Sequence, residues 1–312
     1  MPDDRDIKFM WRALQLARGG EGRVSPNPMV GAVICHNGKI IGEGFHARYG
    51  GPHAEVNAIN SVKEKDRPLL KESTIYVTLE PCAHFGKTPP CASLIVSTGI
   101  PCVVIGALDP NPLVAGKGIE ILKNAGIQVT EGILKKECED LNRRFIFAHT
   151  HSRPWIQLKW ARSADGYMAS LDDRGMPLPV KFSSSLSQAW MHKERAMADA
   201  IMVGRNTSLI DKPRLDVRLW GGENPEKLEL KAHIDVKEYV EKLRSKGITS
   251  LMIEGGPTLL QSFINEGLYD EIREEISPLK LNRGLKAPSL PKDLILISSR
   301  KIRSNIINIY RP

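Results

Sequence analysis

Two short segments restrict what this chain can fold into more than any other feature. They are Pro52-His53-Ala54-Glu55 and the run from Glu80, Pro81 and Cys82 through His84 and Lys87 to Pro90 and Cys91. An imidazole and two thiols serve one metal ion only if the chain folds both segments to one point. The surrounding pattern allows this. Residues 53–62 read as a helix, 74–79 as a buried strand and 90–98 as a second helix. His53 and Cys91 then fall in first helical turns, and Cys82 follows a strand end. A helix N-terminus favours the thiolate form of Cys91.

One imidazole and two thiolates suit zinc, and three protein ligands leave the fourth position for water, as in catalytic sites. Water bound in that way ionises at a pH of about 7. Glu55 lies two residues after His53, and such residues do not face each other on a regular helix. Side chains of a first turn lean back towards the N-terminus, so both can reach a point beyond the helix end. Glu55 then fits a proton shuttle rather than a ligand. His84 offers an alternative: as a fourth protein ligand it would close the site and make it structural. Cys35 and Cys102 lie in apolar strands and read as core. Cys138, on a charged helix, reads as incidental.

The flanking pattern alternates strands and helices. A helix at 3–17 precedes strands at 29–35 and 39–45, with Asn37-Gly38 between them as a hairpin signal. A strand at 102–108, a helix at 115–125 ended by Gly126, a short strand at 127–129 and a helix at 135–147 follow. This predicts an α/β sandwich spanning residues 1–148. The polar stretch from His149 to Pro154 reads as a junction. The pattern then restarts over 154–312. Strands are expected at 155–160, 200–203, 250–253, 270–276 and 302–310. Helices are expected at 185–198 and 236–245, and from the Glu254-Gly255-Gly256-Pro257 turn to residue 265.

With 312 residues, 41% hydrophobic and 26% charged, the chain suits two soluble domains. Its formal charge is +8 without a dense Lys/Arg block, which favours a basic enzyme for phosphorylated small molecules over a nucleic-acid binder. The start, Met1-Pro2-Asp3-Asp4-Arg5, is unlike a signal peptide, and no apolar run approaches membrane-spanning length. Five cysteines in such a chain read as free thiols or ligands. A cytoplasmic location is expected.

The metal segments match the signature of zinc nucleobase deaminases, His-x-Glu followed by Pro-Cys and a second Cys. Nucleic-acid deaminases, however, have two residues between the cysteines, and here eight separate Cys82 from Cys91. Longer stretches resemble the bifunctional deaminase/reductase family of riboflavin biosynthesis. They are Ser25-Pro26-Asn27-Pro28-Met29-Val30-Gly31, Pro52 to Glu55, Pro81 to Cys91 with its Gly86-Lys87-Thr88-Pro89-Pro90 insert, and Asp109-Pro110-Asn111-Pro112 to Gly118. The resemblance implies a cytidine-deaminase-like α/β/α sandwich followed by a dihydrofolate-reductase-like α/β domain. It implies Zn2+ on His53, Cys82 and Cys91, with Glu55 moving protons and Asn27, His46 and Lys87 holding substrate. The implied reaction is hydrolytic deamination of 2,5-diamino-6-(5-phosphoribosylamino)pyrimidin-4(3H)-one by zinc-activated water. Lys87 has the alternative of an ordinary solvated loop residue.

For the second half the resemblance implies NADPH-dependent reduction of the ribosyl group to a ribityl chain. Ala161, Phe182, Thr207, Asp211, Gly256, Pro257 and Thr258 match NADPH contacts. Arg195, Leu215, Arg218 and Glu254 match contacts to the ribosyl-phosphate substrate, although Arg195 also reads as a helix-surface charge. The chain departs from the family between Arg218 and Glu254, where the family has several tens of further residues, including a strand of the form Arg-Ile-Val-Leu-Asp. Phe182 and Val180 stand where Trp and Ser are common. The expectation is a shortened reductase domain lacking central strands, its activity in doubt. The implied partner is a small phosphoribosyl pyrimidine, with no nucleic acid, no membrane and a homo-oligomeric state. Two alternatives stay open: a deaminase with a degenerate C-terminal scaffold, and a deaminase acting on nucleic acid.

Overall fold

Apolar strands alternating with amphipathic helices have to stack in layers, because each sheet face needs a cover. The computed structural model describes residues 3–83, 89–111, 115–231 and 234–312, which fall into two units, Met1–Thr150 and His151–Pro312.

In the first unit, α1 (Asp4–Ala17) starts at Asp3, whose carboxylate accepts the Arg5 N–H at 3.0 Å. β1 (Gly31–His36) and β2 (Lys39–Phe45) meet across Asn37 and Gly38, with φ of 46° and 77°, the left-handed pair that a tight hairpin needs. The chain continues through α2 (Ala54–Ser61), β3 (Thr74–Leu79), α3 (Cys91–Thr98), β4 (Cys102–Ala107), α4 (Lys117–Asn124), β5 (Gln128–Glu131), α5 (Lys135–Leu141) and α6 (Arg143–Thr150). The sheet order is β2-β1-β3-β4-β5, with β1 antiparallel to both neighbours and β3, β4 and β5 parallel. Phe9, Met10 and Leu14 of α1 pack with Cys138 of α5 on one face. Ala54 and Ala58 of α2, Ile95 of α3 and Leu122 of α4 pack on the other. The layers are those of the expected α/β/α sandwich.

Three details differ from the sequence reading. Cys138 is fully buried, so it belongs to the core. The helix expected over 135–147 is broken at Asn142. There the side chain pairs with Met29 like a strand neighbour, accepting its N–H and donating to its carbonyl, both at 2.8 Å. The last helix also runs through Thr150, so His149 belongs to it rather than to a linker.

Close approach of α2 to β2 places the site. A Cβ on Gly44 would stand 2.3 Å from Ala58 N and 2.5 Å from Ala54 O, so only glycine lets the helix lie this near the strand.

The second unit contains β6 (Trp155–Arg162), β7 (Tyr167–Leu171), β8 (Pro177–Pro179), α7 (Ser185–Ala196), β9 (Ala200–Gly204), α8 (Arg205–Ile210) and β10 (Glu226–Leu230). It continues with α9 (Val236–Ser245), β11 (Ser250–Ile253), α10 (Pro257–Asn265), β12 (Glu271–Ile276), β13 (Leu285–Lys286), β14 (Ile295–Ile302) and β15 (Asn305–Arg311). The main sheet has the order β10-β9-β11-β6-β12-β15-β14, and β13-β7-β8 form a small sheet. From β10 to β12 all pairs are parallel, and β15 and β14 add antiparallel.

The expectation of missing central strands is corrected. The sheet interior β9-β11-β6-β12 is continuous, and residues 226–230, between the two expected helices, form β10 at the edge. A strand lost from an edge deprives one neighbour of one ladder, whereas a lost interior strand would split the sheet. β10 reads Glu-Lys-Leu-Glu-Leu, a short charged edge of the kind that resists pairing with other chains.

Gly44→Ala should lower the unfolding free energy of the first unit by roughly 1–3 kcal/mol through overpacking. A urea melt of this variant should show an earlier midpoint, and an unchanged midpoint would contradict the tight helix–strand contact.

Candidate active sites

In the first unit His53 is not inside α2 but is its N-cap, with φ −70° and ψ 165°. This extended residue turns the imidazole out of the helical spiral, so His53 and Glu55 can converge although they are only two apart. Cys82 follows the end of β3, and Cys91 is the first residue of α3. His53 Nδ1 lies 3.6 Å from Cys82 Sγ and 3.3 Å from Cys91 Sγ, and the three ligand atoms are mutually within 4.8 Å. Tetrahedral zinc with its usual bond lengths sets such atoms about 3.5–3.8 Å apart, so the triad fits the ion. The Cys91 backbone N–H donates to Cys82 Sγ at 3.3 Å, which stabilises a thiolate there. Hydrogen bonding from Cys91 and then His53 brings the Cys82 thiol down to about 4, while its charged neighbour and burial push Cys91 up. A dication binding here favours the thiolate form of both cysteines.

Glu55, His53 and Cys82 line a cavity of about 280 Å³ together with Asn27, His46, Glu80, Asp109, Asn111, Phe145 and His149. Glu55 is 3% exposed, and burial pushes its carboxyl up to about 7. His46 Nδ1 faces the Pro52 carbonyl at 3.0 Å, which can only accept, so Nδ1 carries the proton. His46 Nε2 then accepts from Asn27 Nδ2 at 3.2 Å. Burial holds the His46 pKa below its ordinary value and keeps this neutral form. The structure thus brings together Asn27, His46, His53, Glu55, Cys82 and Cys91. Lys87, and His84 as a possible fourth ligand, lie outside the described residues.

Sequence reasoning did not single out Glu80, Asp109, Asn111, Phe145 or His149 as site residues. Phe145 and His149 sit four apart on α6 with ring centroids 4.2 Å from each other, and His149 Nδ1 donates to the Phe145 carbonyl at 2.9 Å. Their helical spacing was the available signal, but the polar neighbours of His149 suggested a linker.

In the second unit the expected residues gather at the C-terminal ends of parallel strands, where loops open a crevice. A cleft of about 320 Å³ is lined by Lys159, Ala161, Phe182, Gln188, His192, Arg195 and Arg218, among others. At its back Arg195 grips Glu254 with both arms, Nε–Oε1 at 2.7 Å and Nη2–Oε2 at 2.9 Å, so Arg195 is not a surface charge. Lys159 Nζ lies 3.8 Å from Glu254 Oε2. Burial opposes the ionised Glu254 carboxylate, but Lys159 and Arg195 outweigh it and hold the pKa at about 2. Burial pushes the Lys159 ammonium down. Arg218 pairs with Asp216. Lys159 was missed as a site residue, although a lone lysine in the strand Trp-Ile-Gln-Leu-Lys-Trp was a visible oddity.

Thr207, Gly256, Pro257 and Thr258 form a second group at the first turn of α10, and Asp211 is the C-cap of α8, its N–H on the Thr207 carbonyl. Thr207 Oγ accepts the Gly256 N–H at 3.1 Å, joining α8 to that turn. Gly256 is the N-cap of α10 and makes no side-chain cap, and Pro257 has no N–H, so the Thr258 and Leu259 amides are the ones suited to a phosphate, as a dinucleotide requires. Leu215 is buried with Met191 and Met252, so its side chain serves the core.

Arg195→Met should destabilise the second unit by about 3–5 kcal/mol, because it strips the bidentate partner from a buried carboxylate. The folded pKa of Glu254 lies below its ordinary 4.5, so the ionised group stabilises above that pH and the gain fades as pH falls towards 2. Acid titrations of stability should show this window narrowed in the variant; equal acid sensitivity of the two proteins would refute it.

Comparison with known proteins agrees with both halves. The model of the cytidine and deoxycytidylate deaminase zinc-binding region matches residues 3–107. The model of the RibD C-terminal domain matches 154–232 and 222–293, two overlapping stretches. The riboflavin biosynthesis protein RibD of Aquifex aeolicus is 39% identical over 91% of this chain and 90% of its own. That of Escherichia coli is 34% identical over 92% and 93%. Among solved structures, the diaminohydroxyphosphoribosylaminopyrimidine deaminase/5-amino-6-(5-phosphoribosylamino)uracil reductase of Thermotoga maritima superposes with a TM-score of 0.89, 35% identity and 99% coverage of both chains. RibD of Acinetobacter baumannii gives 0.86, 30% and 99% of both. This chain belongs to the RibD family of riboflavin biosynthesis proteins, with a zinc-binding deaminase unit and a RibD reductase unit in one polypeptide.

Proposed function

We propose that the first unit hydrolytically removes the 2-amino group of a phosphoribosylated diaminopyrimidine, and that the second reduces the ribosyl group of the product. The observation that carries this reading is the His53–Cys82–Cys91 triad with the buried Glu55 in one cavity. Zinc held by those three residues would supply the Lewis acidity that makes water a nucleophile near neutral pH. Glu55, whose carboxyl is pushed up to about 7, is placed beside the triad to hold a proton and give it to the departing amine. Neutral His46 and Asn27 orient the ring, and Phe145 and His149 wall the cavity to the size of a small molecule. Lys87 is assigned to the phosphate.

In the second unit NADPH supplies hydride. Thr207, Asp211 and the Gly256–Thr258 turn are assigned to hold it, with Ala161 and Phe182 along its path. Arg195 and Arg218 are suited to the substrate phosphate. Lys159 Nζ is buried at the base of the cleft, 3.8 Å from Glu254 Oε2. The continuous sheet and intact cleft favour an active reductase over a degenerate scaffold. A phosphorylated substrate, a reduced dinucleotide and free cysteines suit the cytoplasm, and no described helix is long and apolar enough to cross a membrane.

Incubation of wild-type protein with the diaminopyrimidine should give the mass change of amine-to-oxo exchange, and with NADPH also the gain of two hydrogens. Glu55→Gln should keep its zinc but deaminate at least about 100-fold more slowly. Deamination at the wild-type rate in that variant would remove Glu55 from the mechanism, and no hydrogen gain with NADPH would leave the second unit a scaffold.

Self-association belongs to the same reading. On edge strand β14, Ile295, Leu296 and Ile297 are 59%, 52% and 47% exposed, an apolar edge of the kind that sheets cover. Light scattering should give a multiple of the 34.7 kDa chain mass, and a monomer at micromolar concentration would contradict it.

A further inference from the structure

Glu80 stands at the end of β3, directly before Pro81 and Cys82, and is 4% exposed. Its carboxylate accepts three backbone N–H groups. Asp109 at 3.3 Å and Gly116 at 3.0 Å donate to Oε2, and Gly118 at 3.0 Å donates to Oε1. These donors are the two ends of one connection: Asp109 lies just after β4, while Gly116 and Gly118 open α4. One buried anion therefore ties the connection at both ends, and it sits where a helix N-terminus favours negative charge. Packing enforces the same closure, since a Cβ on Gly118 would meet Pro81 O at 2.0 Å.

The connection is part of the deaminase cavity. Asp109 and Asn111 both line it, alongside Glu55 and His53. They are bound to each other through Asn111 N–H to Asp109 Oδ1 at 2.8 Å, and Ala115 N–H reaches the Asn111 carbonyl at 2.8 Å.

We infer that Glu80 is a positioning residue for deamination, a clamp that holds Asp109 and Asn111 against substrate in the cavity. The inference rests on the first unit being the deaminase proposed above. Glu80 acts through backbone amides and transfers no proton in the reaction. A carboxylate can receive three amides because both oxygens accept, whereas a glutamine has one acceptor oxygen and would turn its NH2 group towards a donor. Glu80→Gln therefore turns its NH2 either towards Gly118 or towards Asp109 and Gly116, so in both orientations it loosens the α4 end of the connection while leaving the metal ligands in place.

The test uses full-length, zinc-loaded protein and the phosphoribosylated diaminopyrimidine. Turnover by wild type tests the underlying reading. The clamp is tested independently of turnover by hydrogen exchange at the Asp109, Gly116 and Gly118 amides, which should speed up in Glu80→Gln at unchanged zinc content. In kinetics, KM should rise about tenfold with kcat within about twofold of wild type. In an Asn111→Ala background the same substitution should add less than about twofold, because both changes disable one device. Should Glu80→Gln fail to fold, Glu80→Asp, which keeps the charge but shortens the reach, should raise KM in the same direction. Unchanged amide exchange, an unchanged KM, or effects that multiply in full with Asn111→Ala would each overturn the clamp.

Discussion

An imidazole, two sulfurs and a carboxyl group share one small volume in the first unit, and the packing around them follows from that demand. His53 can reach the sulfurs because it caps α2 instead of joining it. Glu55 can reach the same point because α2 presses on β2, which Gly44 permits. Glu55 is buried at that point, and burial raises its carboxyl to about 7. The sulfurs are matched too, since the chain that places Cys91 at the start of α3 also turns its N–H towards Cys82.

The second unit solves a different electrostatic problem. Its parallel strands end together, and the cleft above those ends gathers Lys159, Arg195 and Arg218. Buried cations need a counter-charge, and Glu254 supplies it from the end of β11, stabilised by two of them at once. Charge continues along the interior strand β12. Glu271 accepts from Gln157 and Arg311, Glu274 from Trp160 and Arg162, and Glu275 from Ser183 and Asn305. Each partner comes from an element distant in sequence, so the network exists only once the sheet has assembled.

Much of the first unit was legible beforehand. The hairpin at Asn37-Gly38 and the apolar strands carry local signals that tertiary contacts reinforced. The break at Asn142 was not legible, because its reason is a pair of hydrogen bonds to Met29. β7, β8, β10 and β13 were missed because they are short or bear charge at an edge. β14 was missed because three successive apolar residues, Ile295 to Ile297, show no alternation. The supposed gap in the second sheet came from comparing segment lengths, and a length difference does not say which strands a sheet contains.

By itself the sequence determined the chemistry: which side chains can hold a dication such as zinc, which carboxyl stands beside them, and where strands hand over to helices. These follow from residue type and short-range spacing, which are local properties. Tertiary structure alone decided that Glu80 ties three distant amides, that Lys159 and Arg195 share Glu254, and that His149 faces a cavity and not a linker. Each of these is a meeting of groups from separate elements, and separation along the chain carries no record of distance in the fold.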